Sequence, residues 1–419
     1  MRVLLIGTGG REHAIAAALA ADPAVTTLIC APGNPGMAAL GELAEVDPLD
    51  PAAVAALAVD SGADLVVVGP EAPLVAGVSD AVRAKGIPCF GPSQAAAALE
   101  GSKAFAKDVM SAAGVPTARS FVCTSPEELG AALDAFGPPY VVKDDGLAAG
   151  KGVVVTEDRD AALAHGAACE RVVVEEYLAG PEVSLFVVTD GTAAVPLQPA
   201  QDFKRIHDGD AGPNTGGMGA YSPLPWAPAG LVDRVMAEVV QPTLAEMRHR
   251  GTPFSGVLYV GLALTADGPK VIEFNCRFGD PETQVVLARL ETPLAGVLQA
   301  AALGRLAEGP PLAWRPGAAV CVVMASAGYP ESSSKGDVIT GADGVPGVVH
   351  AGTARRSDGV LVTNGGRVLT CTALGGTLDD ARRSAYQLVH GVRFEGAQFR
   401  TDIALAAAEN RVSVPIHAA

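Results

Sequence analysis

The stretch KDDGLAAGKG, residues 143–152, predicts a strand end that opens into a glycine-rich loop carrying two lysines. The residues before it, Val141 and Val142, are apolar and β-branched, so the strand delivers Lys143 where strands usually present functional groups. Uncovered backbone N–H groups and lysine ammonium groups suit a polyphosphate, because its anionic oxygens accept several charge-assisted hydrogen bonds. A surface hairpin with solvated lysines is the alternative, and the rest of the chain has to decide between them.

Length and composition predict a multidomain protein without a membrane segment. The chain has 419 residues, of which 49% are hydrophobic. This length is too great for one core and indicates about two to four domains. No apolar run approaches the roughly 20 residues that span a bilayer. The N-terminal MRVLLIGTGGRE meets glycine and charged residues too early for a signal peptide, so we expect a first strand there. The cysteine usage favours a cytoplasmic protein.

The charge balance disfavours nonspecific binding to nucleic acid or to an anionic membrane. Lysine and arginine total 30 against 46 for aspartate and glutamate, a net charge of −16. Any phosphate that binds must therefore meet local positive charge. The seven cysteines are scattered without a C-x-x-C pair, which predicts reduced, buried thiols and neither a zinc site nor a disulfide framework.

The N-terminal part alternates between strand and helix patterns, as in a parallel sheet with helices on both faces. The predicted strands are 3–6, 27–30, 65–68 and 88–90, and the predicted helices begin at Glu12 and Pro51 and cover 78–85. Ligands of such sheets bind beyond the carboxyl ends of the strands. Three strand ends here run into polar or glycine-rich loops, so we predict a doubly wound, substrate-binding domain over residues 1–101.

The first of these loops, GTGGRE at 7–12, invites comparison with the dinucleotide fingerprint G-x-G-x-x-G. Its third glycine would fall at Glu12, which disfavours binding of NAD. A helix N-terminus with free N–H groups beside Arg11 remains, and this suits a single phosphate monoester. A tight strand-to-helix turn without a ligand is the alternative.

Two further domains are predicted beyond residue 101. A helix from Ser102 ends at Gly114, short strands follow, and we expect a small mobile lid over about residues 120–188 inside a larger domain, 102–316. The last part, 317–419, is predicted to be a small β-rich domain with strands 318–324, 348–350, 360–363 and 368–373 and a hairpin turn at 364–366. The fold class is thus α/β, or mixed α+β.

The segment VIEFNCRFGDPETQ, 271–284, predicts a strand with a functional face. Residues two apart share a face, so Glu273, Asn275 and Arg277 point one way. A carboxylate and an amide oxygen side by side suit Mg²⁺ that bridges nucleotide phosphates. The arginine next along that face can stabilise a phosphoryl group in transfer. A half-exposed strand with ordinary polar residues outward is the alternative.

The segment QDFKRIHDGDAGPNTGGMGAYSP, 201–223, is charged and glycine-rich without an apolar face. We interpret it as a long irregular loop, which inside a compact domain is usually functional or disordered. Its glycines let backbone amides approach a ligand closely. His207 within it is interpreted as solvent-facing and receives no role.

These segments, in this order, resemble the phosphoribosylamine–glycine ligase family of purine biosynthesis. The resemblance is carried by GTGGREHA, PGNPG, GPEAPLVAG, LEGSKAFAKDVM, KDDGLAAGKGV, QDFKR, DGDAGPNTGGMGAYSP, EFNCRFGDPETQ, HAGT and TNGGRVL, over essentially the whole chain. The family belongs to the ATP-grasp superfamily, which traps ATP between a small lid and a larger subdomain. Under this resemblance the 143–152 loop is the flap that covers the phosphates.

The resemblance also implies site residues. It implies that the nucleotide is bound by Lys103, Lys143, Glu175, Glu176, Tyr177, Leu178, Glu182, Arg205 and Asn214, that Mg²⁺ or Mn²⁺ is held by Glu273 and Asn275, and that Arg277 and Lys143 are catalytic. The implied substrate-binding residues are Gly9, Gly10, Asn34, Glu71, Asp280 and Lys335. The first four would hold the ribose phosphate, and Arg277 with Asp280 lies where glycine would bind.

The sequence departs from the family pattern at three points. Phe203 stands where the family usually has His in QDHKR, and Asp144 stands where it usually has Ala in KADG. Asp144 should weaken nucleotide binding unless it points away from the phosphates. The predicted strand 256–264 carries no carboxylate, so a third protein ligand for the metal is in doubt.

The implied reaction joins glycine to 5-phosphoribosylamine at the expense of ATP through a glycyl phosphate, without a side-chain nucleophile. We expect a monomer that binds these small molecules and neither nucleic acid nor membrane. Three alternatives stay open at this point: a related ligase with a different acid or amine, a dinucleotide-dependent oxidoreductase, and a nucleotide-binding protein that has lost catalysis, the last motivated by Phe203 and Asp144.

Overall fold

The structure is a computed structural model that describes residues 1–147 and 152–415. Residues 148–151, which include the second lysine of KDDGLAAGKG, thus lie outside the described residues. Among the described helices, none has both the length and the apolar composition needed to cross a bilayer.

A five-stranded parallel sheet forms the N-terminal part. Its strands, β1 to β5, are Arg2–Gly7, Thr27–Pro32, Glu42–Leu43, Leu65–Val68 and Cys89–Phe90, and its helices, α1 to α4, are Gly10–Ala20, Pro51–Asp60, Glu71–Ala76 and Val78–Arg83. The spatial order β3-β2-β1-β4-β5 is that of a doubly wound sheet, as predicted. The short strand β3 and helix α3 are additions to the sequence prediction, and Glu71 begins α3.

Two consecutive helices connect this sheet to the lid. Helix α5 covers Gln94–Gly101 and helix α6 covers Lys103–Ala113. The Ser102 hydroxyl caps α6 by accepting a hydrogen bond from Phe105 N, and Gly114 ends it in the left-handed region at φ +67°. Lys103 and Lys107 are four residues apart on α6 and therefore share one face.

The lid is a four-stranded antiparallel sheet with two helices on one face. Its strands are β6 Ser120–Cys123, β7 Tyr140–Asp144, β8 Val153–Thr156 and β9 Val172–Glu175, and its helices are α7 Pro126–Phe136 and α8 Arg159–Ala167. The order is β6-β9-β7-β8. Its small hydrophobic core is separate from the main cores, so the lid packs as a unit of its own.

A larger antiparallel sheet lies opposite the lid. Its strands, in the order β11-β10-β16-β17, are β10 Glu182–Asp190, β11 Ala194–Pro196, β16 Ser255–Thr265 and β17 Gly268–Asn275. Four shorter strands lie between them in the chain: β12 Gln201–Asp202, β13 Arg205–His207, β14 Ala211–Asn214 and β15 Gly219–Ser222. The accompanying helices are α9 Leu231–Val235, a π-helical turn at Met236–Val240, α10 Gln241–His249, α11 Glu282–Arg289 and α12 Leu294–Ala302.

The C-terminal part contributes strands to a sheet that also contains strands from the central part of the chain. Its elements are β18 Ala318–Ala325, β19 Val348–His350, β20 Thr353–Arg355, β21 Leu361–Thr363, β22 Arg367–Gly375, α13 Leu378–Gly391 and α14 Leu405–Ala408. The five-stranded order is β12-β15-β18-β22-β19, so two strands from the 201–223 segment complete this sheet. A large hydrophobic core runs from the N-terminal sheet through the central helices to the C-terminal strands.

Two sequence interpretations are wrong at this level. The 201–223 segment is mostly strand: β15 pairs with β18 from Gly219 opposite Val322 to Ser222 opposite Ala319, and β13 and β14 form a hairpin. The residues 364–366 do not close a hairpin, because β21 pairs with β20 whereas β22 pairs with β18 and β19. In both cases one strand, β15 or β22, pairs with β18, which is distant along the chain, and the local sequence does not reveal this pairing.

Candidate functional site

Lys143 and Glu175 form a buried ion pair on the lid. They lie diagonally on neighbouring antiparallel strands, since Val141 pairs with Glu175 and Lys143 pairs with Val173. Lys143 Nζ is 2.8 Å from Glu175 Oε2 and donates to Ile272 O at 2.9 Å. Both side chains are buried, so removing Glu175 would leave the Lys143 ammonium group without its carboxylate partner. The second contact also ties the lid to β17.

Lys107 joins this pair from helix α6. Its Nζ lies 2.8 Å from the other oxygen of Glu175, Oε1, and donates to Thr117 Oγ1 at 2.8 Å and to Ala118 O at 3.0 Å. Burial lowers the pKa of Lys107, although Glu175 opposes this. One carboxylate therefore serves two ammonium groups, which leaves a net positive charge at the inner end of the lid.

Lys103 lies on the same face of α6 and reaches the start of the phosphate flap. Its Nζ donates to Gly146 O at 2.8 Å. Burial lowers the pKa of Lys103; the charge of Glu273 acts in the opposite direction and that of Lys143 adds to the lowering. Glu273 and Lys143 therefore lie close enough to Lys103 for their charges to change its pKa. The structure thus brings together Lys103, Lys143 and Glu273.

Strand β17 presents Glu273 and Asn275 on one face, while Phe274 between them is buried on the core side. Gly261, opposite Glu273 on β16, makes room for this carboxylate: an added Cβ there would lie 3.2 Å from Glu273 Cγ. Burial opposes ionisation of Glu273, but the nearby ammonium groups outweigh it and lower its pKa. Glu273 is therefore an ionised carboxylate that is stabilised by nearby cationic side chains.

These two side chains suit a divalent cation that takes its other ligands from phosphate and water. Within residues 1–147 and 152–415, no group of three or more His, Cys, Asp or Glu side chains is arranged to hold a metal by itself. Mg²⁺ is commonly bound through one or two protein oxygens together with substrate phosphates. An ionised carboxylate beside an amide oxygen, facing lysines, fits that requirement.

A second charged group surrounds Lys204. Its Nζ contacts a carboxylate oxygen of Glu182 and lies 3.2 Å from Asp202 Oδ1. Burial raises the pKa of Asp202 to about 7 despite Lys204, and the charges of Glu282 and Glu182 add to the rise. Glu273 lies close enough to contribute to the field at Lys204. This group extends the polar site from β17 to β10 and β12.

Two predicted nucleotide residues lie on the β13–β14 hairpin. Arg205 is paired with Asn214 across the hairpin, and its Nη1 donates to Gly212 O at 2.7 Å. Asn214 Nδ2 donates to Val153 O of the lid at 3.3 Å. The hairpin therefore connects the lid sheet to the main body beside Lys204.

The remaining predicted residues are more exposed. Glu176 accepts hydrogen bonds from Arg119 N at 3.0 Å and Arg119 Nε at 2.7 Å, while Tyr177 is exposed and Leu178 is half-buried in the connection from β9 to β10. Lys335 is exposed in the connection between β18 and β19. Among the described hydrogen bonds and ion pairs, none joins Lys335 to the groups above.

Arg277 lies just beyond β17 and is held by two carboxylates. Its Nε donates to Glu71 Oε2 at 3.0 Å, its Nη2 to Glu100 Oε1 at 2.9 Å, and its Nη1 to Phe278 O at 3.2 Å. Burial opposes ionisation of Glu71, but Arg277 and Arg11 outweigh it and lower its pKa to about 2. The turn after β17 is thereby fixed against the N-terminal sheet.

The first glycine loop is closed by its own carboxylate. Glu12 Oε2 accepts a hydrogen bond from Gly9 N at 2.7 Å, and Glu12 also pairs with Arg11. Gly7, at φ +133°, leaves room for the Glu12 side chain, since an added Cβ would lie 2.4 Å from Glu12 Cγ. A carboxylate thus occupies the place where a dinucleotide fold needs bare glycine, which argues against an oxidoreductase.

Asp280 joins the same loop to the C-terminal part. It accepts hydrogen bonds from Arg11 N at 3.3 Å and from Gln284 Nε2 at 3.0 Å, and it lies 3.5 Å from Arg367 Nη2. Burial opposes its ionisation, but Arg367 and Arg11 lower the pKa of Asp280. Gly10, which begins α1, lies against Gln284, so an added Cβ would come within 3.0 Å of its Nε2.

Asn34 and two histidines complete the N-terminal side. Asn34 Nδ2 donates to Thr8 O at 2.8 Å and to His350 O at 2.9 Å, and its Oδ1 accepts from the backbone beyond it. His350 N donates to His13 Nδ1 at 2.8 Å. Burial, and next the neighbouring His350, lower the pKa of His13 to about 4. The N-terminal loops and the HAGT segment therefore form one hydrogen-bonded unit.

The two departures from the family pattern point away from the lysines or into the core. Asp144 lies on the opposite face of β7 from Lys143, where its charge, after burial, raises the pKa of the Cys169 thiol. Phe203 packs against Tyr221, with ring centroids 6.1 Å apart, and under the buried guanidinium of Arg400, whose Cζ is 4.9 Å from the ring centroid.

Several residues of the site were missed at the sequence level, although the motifs contain them. They are His13, Glu100, Lys107, Asp202, Lys204, Glu282, His350 and Arg367, whereas Arg11 and Glu12 were already noted in the first glycine loop. The spacing of Lys107 from Lys103 is a signal that could have found the former. Most partners of the others are distant along the chain, although Asp202 and Lys204 are neighbours in the QDFKR segment.

The lysine-bearing lid, the two antiparallel sheets and the Glu273–Asn275 strand define an ATP-grasp protein, a class that uses ATP with a divalent metal. Models of the phosphoribosylglycinamide synthetase family match the chain in order: the N domain at residues 1–100, the ATP-grasp (A) domain at 101–283 and the C domain at 319–406. The chain belongs to the phosphoribosylglycinamide synthetase family.

Individual relatives agree. The chain is 66% identical to the phosphoribosylamine–glycine ligase of Streptomyces coelicolor over 97% of this chain and 100% of that protein. It is similar to the crystal structure of phosphoribosylamine–glycine ligase from Thermotoga maritima, with a TM-score of 0.85, 36% identity and coverage of 96% and 100%. A biotin carboxylase domain from Hydrogenobacter thermophilus, at 17% identity and a TM-score of 0.69 over 95% of this chain and 91% of that one, shares the fold.

Proposed function

We propose that this protein joins glycine to 5-phosphoribosylamine, with ATP converted to ADP and phosphate, to give glycinamide ribonucleotide in purine biosynthesis. The proposal is supported by the family to which the chain belongs. The observation that carries it is the approach of Lys103, Lys143 and Glu273 to one another, next to an arginine-rich group built from the N-terminal loops.

On the nucleotide side, Lys103 and Lys143 bind ATP phosphates, and Glu175 to Leu178 form the edge that receives the adenine. Glu182 accepts hydrogen bonds from the ribose, with Arg205 and Asn214 nearby on the hairpin. Glu273 and Asn275 hold Mg²⁺ or Mn²⁺, which, when bound, offsets the phosphate charge. These assignments are supported by the buried, mutually compensating charges around Lys143.

Chemistry proceeds in two displacements. A carboxylate oxygen of glycine bonds to the γ-phosphorus as its bond to the ADP oxygen breaks, which gives glycyl phosphate. The nitrogen of 5-phosphoribosylamine then bonds to the glycyl carbonyl carbon, the bond to the phosphate oxygen breaks, and the nitrogen loses a proton. Arg277 and Lys143 stabilise the transferring phosphoryl group, so positioning and charge suffice and no side-chain nucleophile is needed.

On the substrate side, Gly9, Gly10 and Glu71 approach the phosphoribosylamine, and Asp280 with Arg277 approaches glycine. We assign Asn34 a shaping role, because its side-chain amide already hydrogen-bonds Thr8 O and His350 O. Lys335 is kept as a substrate-binding candidate that would have to approach with its loop, since it is exposed in this structure.

We also propose the organisation in which this function operates. The domains are 1–101, 102–316 and 317–419, with the lid at about 120–188. The separate core of the lid supports its moving as a unit, which would exclude water from the acyl phosphate when it closes. The protein is proposed to act as a cytoplasmic monomer.

The test is ADP release by the purified chain with glycine and 5-phosphoribosylamine together, each alone, and with other amino acids in place of glycine. We expect ADP and a ribonucleotide product of the mass of glycinamide ribonucleotide when both substrates are present. Turnover with a different acid or amine would favour a related ligase. Binding of ATP without any ADP formation would favour a protein that has lost catalysis.

Glu273→Ala tests the metal assignment within the same assay. Loss of the carboxylate should reduce turnover by about 100-fold or more, because the cation would keep only Asn275 as a protein ligand. The control is Glu238→Ala, which removes an exposed carboxylate that pairs with Arg234 at 3.0 Å. Retained activity in Glu273→Ala would contradict the assignment.

A further inference from the structure

Glu100 is a buried carboxylate that the reaction set out above does not use. It lies in the last turn of α5, and its side chain is only 8% exposed. Its Oε2 accepts the Cys276 N–H at 2.8 Å and the Cys276 thiol at 3.1 Å, and its Oε1 accepts Arg277 Nη2 at 2.9 Å. One carboxylate thus holds two consecutive residues directly after the Glu273–Asn275 pair.

The contacts of Arg277 fix the plane of its guanidinium. Each nitrogen has one acceptor: Glu71 for Nε, Phe278 O for Nη1 and Glu100 for Nη2. A guanidinium has five N–H groups in a rigid fork. Within the part of the chain that the structure describes, two of those N–H groups therefore remain for an anionic ligand.

Glu100 differs from Glu71 in how it acts on this fork. Glu71 is 24% exposed and shares its charge with Arg11, whose Nη1 is 3.7 Å from Glu71 Oε2. Glu100 is more buried, and its other oxygen is tied to the backbone of the residue that precedes Arg277. It thereby links the position of the main chain to the orientation of the side chain.

We propose that Glu100 is a positioning residue for phosphoryl transfer, which holds Arg277 so that its two remaining N–H groups face the transferring group. This inference rests on the proposed function, in which Arg277 stabilises that group. Burying a carboxylate is unfavourable unless it is paired and hydrogen-bonded, and Glu100 meets that condition through Arg277 and Cys276. A small displacement of such a fork is expected to reduce the rate with little change in substrate binding.

The kinetic test uses Glu100→Gln and Glu100→Asp. Glutamine has one acceptor oxygen, so it can satisfy Arg277 or the Cys276 N–H but not both. We expect Glu100→Gln to lower kcat and kcat/KM for glycine by a similar factor of about 10 to 100, with KM for ATP within about twofold. Glu100→Asp, which keeps both oxygens, should recover part of the loss and also serves if the glutamine variant folds poorly.

The matched control is Asp22→Asn. Asp22 is likewise a buried carboxylate, which accepts Ala24 N at 2.9 Å and Ala295 N at 2.8 Å, so it also joins distant parts of the chain. It should lose thermal stability but keep kcat within about twofold. A fall in kcat equal to that of Glu100→Gln would mean that any buried carboxylate matters through stability alone, and would overturn the proposal.

Coupling to Arg277 decides whether Glu100 acts through it. The double variant Glu100→Gln, Arg277→Gln should be no slower than Arg277→Gln alone, because the positioned group is already gone. Losses that simply multiply would show that Glu100 acts elsewhere.

A crystal structure of Glu100→Gln separates this inference from the proposed function. We expect Arg277 to leave its position between Glu71 and Phe278 O in that variant and to keep it in Asp22→Asn. An unmoved Arg277 would overturn the inference. If the wild-type chain forms no ADP with glycine and 5-phosphoribosylamine, the proposed function fails, and the crystal structure still decides whether Glu100 orients Arg277.

Discussion

Apart from Arg205 on the hairpin and the exposed Lys335, the proposed nucleotide and substrate sides of the candidate site carry different cations. The nucleotide side, formed by α6, β7 and the residues after β12, carries the ammonium groups of Lys103, Lys107, Lys143 and Lys204. The substrate side, formed by the N-terminal loops and the turn after β17, carries the guanidinium groups of Arg11, Arg277 and Arg367. The difference follows from the geometry of the two kinds of cationic group.

A lysine is a point charge on a flexible stem, whereas an arginine is a planar fork whose orientation can be fixed in advance. Lys103 is held by a single carbonyl, that of Gly146, among the described contacts, so its ammonium group can reorient. Arg367, in contrast, donates to Gly216 O at 2.5 Å and to Asp280 O at 2.7 Å and is locked between two loops. On the nucleotide side Lys103 can therefore adjust, whereas the arginines of the substrate side are preformed.

The largest effect is expected on the nucleotide side from Lys143→Met. The substitution removes the charge that we propose to bind phosphate and leaves Glu175 with Lys107 alone, so we expect kcat/KM for ATP to fall by about 1000-fold. Lys143→Arg, which keeps the charge, should lose clearly less. The measurement is steady-state ADP release, with Lys270→Met, a lysine paired with Asp267 near the other end of β17, as control. A loss below about tenfold in Lys143→Met would contradict the proposed role of lysine charge on the nucleotide side.

On the substrate side, we expect the charge-conserving substitution Arg277→Lys to be poorly tolerated, in contrast to Lys143→Arg. Lysine keeps the charge but cannot bridge Glu71 and Glu100 as a fork, so kcat should fall by about 100-fold even though the substitution appears conservative. Arg234→Lys, in the exposed pair with Glu238, is the control and should stay within about twofold. If Arg277→Lys behaves like Lys143→Arg, the distinction between a preformed and an adjustable side is wrong.

The sequence predicted those parts of the fold that local periodicity encodes. The strand and helix rhythm of the N-terminal sheet and the shared face of Glu273 and Asn275 follow from spacing alone. The strands at 201–223 could not be predicted this way. Their residues are glycine-rich and polar. Among them β15 pairs with β18, about a hundred residues later in the chain, β12 pairs with β15, and β13 and β14 pair with each other.

Within the site, too, local patterns predict some residues, whereas contacts between distant parts of the chain determine others. Lys103 and Lys143 belong to recognisable motifs, and Lys107 follows from its helical spacing to Lys103. The partnership of Glu100 with Cys276 and Arg277 spans a separation of 176 and 177 residues. It depends on α5 packing beside β17, which no local pattern specifies. Charge compensation among buried groups is therefore the part of the site that required the structure.

A third prediction tests how the substrate side is assembled. Burial lowers the pKa of His13 from 6.5 to about 4, so the folded state binds this proton less readily than the unfolded state. The stabilising contribution is complete above pH 6.5 and is lost as the pH falls toward 4. Between pH 7 and pH 5 this amounts to about 2 kcal/mol of unfolding free energy.

His13→Asn should remove that part of the pH dependence, because asparagine can still accept the His350 N–H but does not titrate. The measurement is urea unfolding at the two pH values. His207→Asn, at an exposed position, is the control and should keep the wild-type slope. An unchanged slope in His13→Asn would show that other groups set the acid sensitivity of this unit.

The smallest effect is expected from Asp144→Ala, which restores the residue usual in the family. Asp144 lies on the face of β7 opposite Lys143 and acts on Cys169, and at Lys103 its charge ranks behind those of Glu273 and Lys143. KM for ATP should therefore fall by no more than about twofold.

Its neighbour Asp145 supplies a contrast within the same loop. Asp145 accepts Ser102 Oγ and Ala104 N, both at 3.0 Å, and pairs with Arg171, so it joins the start of α6 to the lid. Asp145→Ala should raise KM for ATP by about tenfold, because Lys103 begins the helix that this carboxylate holds. If Asp144→Ala changes KM more than Asp145→Ala does, the phosphates approach the opposite face of β7, and the lysine-lined nucleotide side is wrongly placed.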